Sequence, residues 1–271
     1  MHAFDHQRAV DLKAVQSRAP NTLFLAGGQG LLPELKHRTC SPPVILDVKA
    51  LLPRTITVSE DWVKIGAGAT HSDIASDPAL RTALPALAAL AANVGDPSVR
   101  HRGTLGGALA QNHPASDWAA AALALSAVLE TDLRSVALDD YLAEMTSGST
   151  PSDLILHVIF RRPTHAAYVK MLHPAQRFPI VGSFVSNVHS KHAVALIGLS
   201  ETGAFRWRAA ETALDEVMEL PDVTSPERPR ADQFASVEYR VHLARTLTLL
   251  AVERMKNGVF DKVSIVHGKP M

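Results

Sequence analysis

Two pairs of adjacent glycines, Gly27-Gly28 and Gly106-Gly107, lie about 80 residues apart, and each adjoins apolar, strand-like sequence. Glycine has no Cβ, so such a pair admits positive φ and lets another group approach the backbone closely. Successive backbone N–H groups in turns of this kind form concavities that hold anions, and a diphosphate bridging the two would be gripped by amides rather than by lysines. That chemistry suits a neutral chain, in which 27 Lys and Arg balance 27 Asp and Glu. Taken singly, either pair reads first as an ordinary tight turn.

The elements that must position these turns follow from periodicity. A helix over 10–18 leads to an apolar strand, 22–26, which runs straight into Gly27-Gly28-Gln29-Gly30. Pro33 and Glu34 then suit the opening of a helix, which tolerates a missing amide and favours a carboxylate. A strand over 44–48 follows, and short alternating strands at 56–59 and 63–66 open a second subdomain. Helical spacing returns at 72–76 and 84–92, where alanines favour close packing of helix on sheet. Residues 93–97 have turn chemistry and hand over to 100–107, ahead of an alanine-rich helix at 117–127 and a strand at 128–131. A strand at 154–160 ends at Arg161-Arg162-Pro163. A third unit then holds strands at 168–172, 180–188 and 194–199, with helices at 209–220 and 236–256 on either side of a Pro-rich loop, 221–230.

At 271 residues the chain can bury a sizeable core in about two domains. Its zero net charge gives no pull toward nucleic acid or an anionic membrane. The longest apolar stretches, LPALAALAANV and AAAALALSAVL, fall short of the ~18–20 residues of a membrane span, and the first residues contain no apolar signal core, so a cytoplasmic location is expected. Cys40 is the only cysteine, whereas an iron–sulfur cluster takes about four. The 13 histidines show no paired metal-ligand spacing, so any redox metal is expected on another polypeptide. Cys40 itself reads as a small buried apolar residue.

The flanks of the two glycine pairs carry a resemblance. LAGGQGLLPELKHR resembles the first FAD-binding signature of the flavoprotein (medium) subunits of molybdenum hydroxylases, the family of the carbon monoxide dehydrogenase medium subunit and the xanthine dehydrogenase FAD-binding subunit. VGDPSVRHRGTLGGALAQNHPASD resembles the second signature. IGAGATHSDIA, YVKMLHPAQRFPIVG and SVEYRVHLARTL resemble, in order, the segment between the signatures, the first strand and turn of the third domain, and the C-terminal helix motif. The resemblance implies an α+β fold. Residues 1–162 would form an FAD-binding domain of the vanillyl-alcohol oxidase/PCMH type, with α/β subdomains of about 1–53 and 54–162. Residues 163–271 would form a C-terminal antiparallel sheet with helices.

The same resemblance implies roles. Leu25, Ala26, Gly27, Gly28, Gln29, Gly30 and Leu31 would wrap the phosphates of noncovalent FAD, and Thr104, Gly106, Gly107 and Ala110 would meet the pyrophosphate region. Gly30 stands where the family usually has serine, so a hydroxyl contact is lost. Asp117 falls on a cofactor-contacting aspartate, and is equally a helix N-cap before an alanine run. Lys170 matches a lysine that reaches the flavin in part of the family, and is equally a solvated strand lysine. Arg100 and Arg102 are expected to orient the loop, and His101 to serve as a polar spacer; no residue is assigned as a catalytic acid or base. Implied partners are a molybdopterin-binding large subunit and a small subunit with [2Fe-2S] clusters, together forming a dimer of heterotrimers in which FAD passes electrons to NAD or another acceptor. Two alternatives stay open: a stand-alone flavin oxidase of the vanillyl-alcohol oxidase superfamily, disfavoured by the ~100 residues after Pro163, enough for one small domain, and a flavin-free scaffold subunit.

Overall fold

Three sheets organise the computed structural model, which describes residues 1–147, 152–173, 178–188, 191–224, 226, 228–260 and 263–267. The first is parallel and three-stranded, in the order β1-β3-β2, built from β1 (Asp5–Arg8), α1 (Leu12–Gln16), β2 (Leu23–Leu25), α2 (Leu31–His37) and β3 (Val44–Asp47). Parallel neighbours need a crossover, and α1 and α2 provide it. The strand β2 therefore delivers its C-terminal end directly into the Gly27–Gly30 turn.

The second sheet is antiparallel, in the order β4-β5-β8-β6-β7. It begins with β4 (Ile56–Val58) and β5 (Trp62–Gly66), after which six helices intervene: α3 (His71–Ser76), α4 (Pro78–Ala83), α5 (Pro85–Ala92), α6 (Pro97–Arg102), α7 (Leu105–Gln111) and α8 (Asp117–Ala124). It closes with β6 (Val128–Thr131), β7 (Ser135–Ala137), α9 (Leu138–Thr146) and β8 (Ile155–Arg161). Most of these helices begin on a side-chain cap: Thr70 and Asp73 form a reciprocal capping box, Asp77 and Asp96 precede a proline at the first helical position, and Thr104 caps α7.

The third sheet runs β12-β11-β10-β9-β13, from β9 (His165–Leu172), β10 (Pro179–Val188), β11 (Lys191–Ile197) and β12 (Phe205–Arg206), with α10 (Arg208–Asp215) and α11 (Val237–Lys256), and ends in β13 (Ser264–His267). Alternation along its strands splits the core. Ala166, Tyr168, Phe184, Ala193, Ala195 and Ile197 join the core shared with α8 and the second sheet, while Ala167, Val169, Val181, Val185, Val194 and Leu196 pack toward α10 and α11. The alanines of α8 are buried on every face, so this helix is a central rod between layers. Arg240 of α11, buried, donates to the carbonyls of Ile180 (2.6 Å) and Gly198 (2.8 Å) and to Asp232 (2.7 Å), pinning α11 to β10.

The α+β architecture agrees with the expectation, with particular departures. The C-terminal sheet is mixed rather than purely antiparallel, because β13 pairs in parallel with β9. Helix α10 stops at Asp215, short of the expected 220, and Val217 then takes positive φ. Between the turn expected at 93–97 and the helix expected from 117, two short helices intervene, Pro97–Arg102 and Leu105–Gln111. Pro174 to Arg177, in the motif resembling the third-domain turn, lie outside the described residues.

Candidate functional site

The two glycine-bearing segments, distant in sequence, touch. A Cβ on Gly27 would overlap the carbonyl of Arg102 and lie 3.1 Å from the Cα of Gly103, so the first turn is seated directly on the second segment. Gly28 has φ +77°, which a side chain would strain, and any Cβ there would meet Leu32. Further along, a Cβ on Gly30 would lie 2.8 Å from Nε2 of Gln111, at the far end of α7. Leu25 ends β2, Ala26 is half-buried behind the turn, and Gln29 and Gly30 lead into Leu31, the first residue of α2.

The amides on the two sides are not equivalent. Among the described residues, the N–H groups of Gly27, Gly28, Gln29, Gly30 and Leu31 find no acceptor within the chain, and so form a run of backbone donors. On the other side, Gly106 donates to Ala67 O (2.9 Å), Leu105 to Ala69 O (3.0 Å) and Gly107 to the Thr104 hydroxyl (3.3 Å). This corrects the reading of Gly106-Gly107 as a second amide turn. The pair is the opening turn of α7, capped by Thr104, and its donors are already engaged. Gly106 is glycine for packing, since its Cβ would lie 2.6 Å from that of Ala67, whereas a Cβ on exposed Gly107 would meet only the Thr104 hydroxyl, at 2.9 Å. Apart from that hydroxyl, no atom outside the helix's own backbone lies within 4 Å of a Cβ at Gly107. Ala110 is exposed on the same short helix.

Beneath this contact lies a residue that sequence reasoning missed. His71 donates its backbone N–H to Gly103 O (3.0 Å), and its Nδ1 accepts the Trp118 indole N–H (3.1 Å). That bond fixes the neutral tautomer with the proton on Nε2. Burial, aided by the Arg100 charge, lowers the His71 pKa to about 4, so the ring is an uncharged prop for Gly103 at neutral pH. A signal was present: Thr70 and Asp73 have capping-box spacing, which places His71 at the start of a helix. Arg100 donates to the carbonyls of Val94 (3.1 Å) and Gly95 (2.9 Å), which agrees with the expected loop-orienting role.

Asp117 and Lys170 are brought to each other. Lys170 Nζ, fully buried, lies 3.0 Å from Asp117 Oδ1 and 2.9 Å from Asn93 O, and the Tyr168 hydroxyl also donates to Asp117. Both bland readings are therefore corrected. Lys170 is not a solvated strand lysine, because alternation along β9 turns it inward toward α8. Asp117 is not the N-cap, because Ser116 holds that position and the Asp117 side chain serves β9. Among the described residues, no hydrogen bond joins this cluster to the glycine segments. Cys40, two residues past the left-handed Arg38 that ends α2, is half-buried rather than buried, and its thiol lies beside Glu34, where burial and that carboxylate raise its pKa.

Comparison with known proteins fits this geometry. The sequence profile described as the FAD binding domain in molybdopterin dehydrogenase matches residues 1–162. The chain belongs to that family. Among similar family proteins, the nicotine 6-hydroxylase medium subunit of Paenarthrobacter nicotinovorans is 34% identical over 139 residues, 49% of either chain. The xanthine dehydrogenase FAD-binding subunit of Escherichia coli O157:H7 is 26% identical over 274 residues, 92% of this chain and 91% of that one. With the first relatives, such as the glyceraldehyde dehydrogenase medium chain of Sulfolobus acidocaldarius, the match spans about half their length, 51% in that case. The fold is that of a chain of carbon monoxide dehydrogenase from Oligotropha carboxidovorans, at TM-score 0.82 and 23% identity over 94% of this chain and 98% of that one. Among the described residues no helix is long and apolar enough to cross a membrane.

Proposed function

We propose that the chain binds FAD noncovalently, with the diphosphate at the junction of the two glycine-bearing segments, and works as the electron-transfer subunit of a molybdopterin-dependent hydroxylase or dehydrogenase. The single observation that carries this is the seating of Gly27 on Arg102 and Gly103, which brings the turn bearing the unengaged amides of residues 27–31 against the segment that leads into α7. Backbone donors suit a diphosphate in a neutral chain, and they hold it without titrating. Leu25, Ala26, Gly27, Gly28, Gln29, Gly30 and Leu31 would form the anion side. Thr104, Gly107 and Ala110 would form the opposite wall, with Gly106 allowing that wall to approach Ala67.

FAD, when bound, supplies the redox chemistry, and the protein's residues bind, orient and set the local field. His71 stays neutral and holds Gly103 in place. Asp117 and Lys170 act at a remove, by locking the third sheet to α8 in a buried ion pair. The division proposed is 1–162, with subdomains of about 1–53 and 54–162, and 163–271, as segments of the chain that share a core rather than separately folding units. The family supports partners: a large subunit with molybdopterin that oxidises substrate and a small subunit with [2Fe-2S] clusters that relays electrons, arranged as a dimer of heterotrimers, with NAD or another acceptor receiving the electrons.

A visible spectrum of the chain purified alone and with its co-purifying partners tests this. A flavin band in the chain, bleached by substrate only when partners are present, is the expected result. A colourless complex would leave only the scaffold alternative, and substrate turnover by the chain alone would favour the stand-alone oxidase.

A further inference from the structure

We propose that Gln111 is a positioning residue for the diphosphate site, a peg from α7 that occupies the side-chain space of Gly30 and sets the spacing between the two segments. This rests on the reading of the site given above. Gly30 has helical backbone angles, φ −90° and ψ −58°, which any residue can adopt, so its conformation gives no reason for glycine. Its neighbour does: a Cβ there would meet the Gln111 carboxamide, with Cδ at 2.5 Å and Nε2 at 2.8 Å, and would have to push this exposed, flexible group off its bond to Glu34. The carboxamide is held in turn, because Nε2 donates to Glu34 Oε1 (3.0 Å), one turn further into α2. Gln111 thereby contacts α2 at two points, on the bare Cα of Gly30 and on the Glu34 carboxylate, from a helix whose other end carries Thr104 and Gly107. Gly27 on Arg102 fixes one end of the junction, and Gln111 on Gly30 fixes the other. Gly30 and Gln111 therefore form a socket and peg whose effects are coupled.

The experiment is a double-mutant cycle on the full chain, read as the dissociation constant of FAD by quenching of flavin fluorescence, with apo-protein melting recorded alongside. Gln111→Ala should weaken FAD binding roughly tenfold, and Gly30→Ala, whose methyl displaces the peg without adding a hydroxyl, severalfold. The double variant should return to within about threefold of the wild type, because the alanine methyl then has room. Gln111→Met, which keeps the stem but not the bond to Glu34, should fall between Gln111→Ala and the wild type, and it preserves the test should the alanine variant fold poorly. Gln111→Ala at wild-type affinity, or a double variant whose loss equals the product of the two singles, would overturn the inference while leaving the FAD site standing. A wild-type chain with no affinity for FAD would overturn both.

Discussion

At the scale of single residues, the junction depends on the absence of side chains more than on their presence. Gly27 has no room for a methyl group, because the Arg102 carbonyl fills that space. Gly27→Ala should force the two segments apart, lowering stability by about 1–3 kcal/mol, the usual range for overpacking, and reducing FAD content in the same preparation. Urea unfolding of the apo-protein and flavin release on denaturation measure the two effects. His71 makes a different prediction. Its folded pKa, about 4, lies below the ordinary 6.5, so the unfolded chain binds the extra proton first as pH falls. The stability gained from burying the neutral ring is complete above about 6.5 and is lost as pH drops toward 4, by up to about 3 kcal/mol. His71→Gln, which can still accept from Trp118, should flatten the dependence of the urea midpoint on pH across that window. An unchanged slope would show that other histidines dominate.

At the scale of elements, the contact between β9 and α8 is where the chain commits charge to its interior. Lys170→Met would leave Asp117 buried without its cation, a change that commonly costs about 3–5 kcal/mol, and should lower the melting temperature accordingly. Asp117→Leu combined with Lys170→Met should recover much of that loss, since a matched apolar pair needs no partner charge. The sequence made parts of this legible and other parts not. Strand β2 is legible as an apolar run ending in glycines, α5 and α8 as alanine-rich runs, and β9 to β11 as longer strands rich in β-branched and aromatic residues. Helices α6 and α7, of 6 and 7 residues, are too short to show an apolar face, and their glycines and charges read as loop, although Asp96-Pro97 and Thr104 are sound start signals. Lys170 misled for a related reason: a lysine within a strand pattern suggests the solvent face, and its place is fixed only by partners 53 and 77 residues away in sequence.

At the scale of the whole molecule, one core unites the first two sheets with the inner face of the third, so the profile boundary at residue 162 is not a boundary of packing. Tyr168, Phe184 and Ile197 cover that shared core from beyond residue 162, and Ser186 Oγ donates to Ala124 O (2.7 Å) at the end of α8. A chain ending at 162 should expose this face and leave Asp117 unpaired. It should unfold with a broad, low-temperature transition or aggregate, while the full chain melts cooperatively in calorimetry. A sharp, high-temperature transition in the shorter chain would show that the third sheet is an independent unit instead.

The claim on which the account rests is that the space beside Gly107 faces a bound diphosphate. Gly107→Val puts a Cβ and two methyl groups at an exposed helical position, where the Cβ itself meets the Thr104 hydroxyl that caps α7. The measurement is the ratio of FAD to protein in the purified variant and wild type, together with their apo melting temperatures. A wild-type ratio near one is expected, with a collapse of that ratio in the variant and melting temperatures within a few degrees of each other. A variant that retains FAD at the wild-type ratio would place the diphosphate elsewhere and contradict the account.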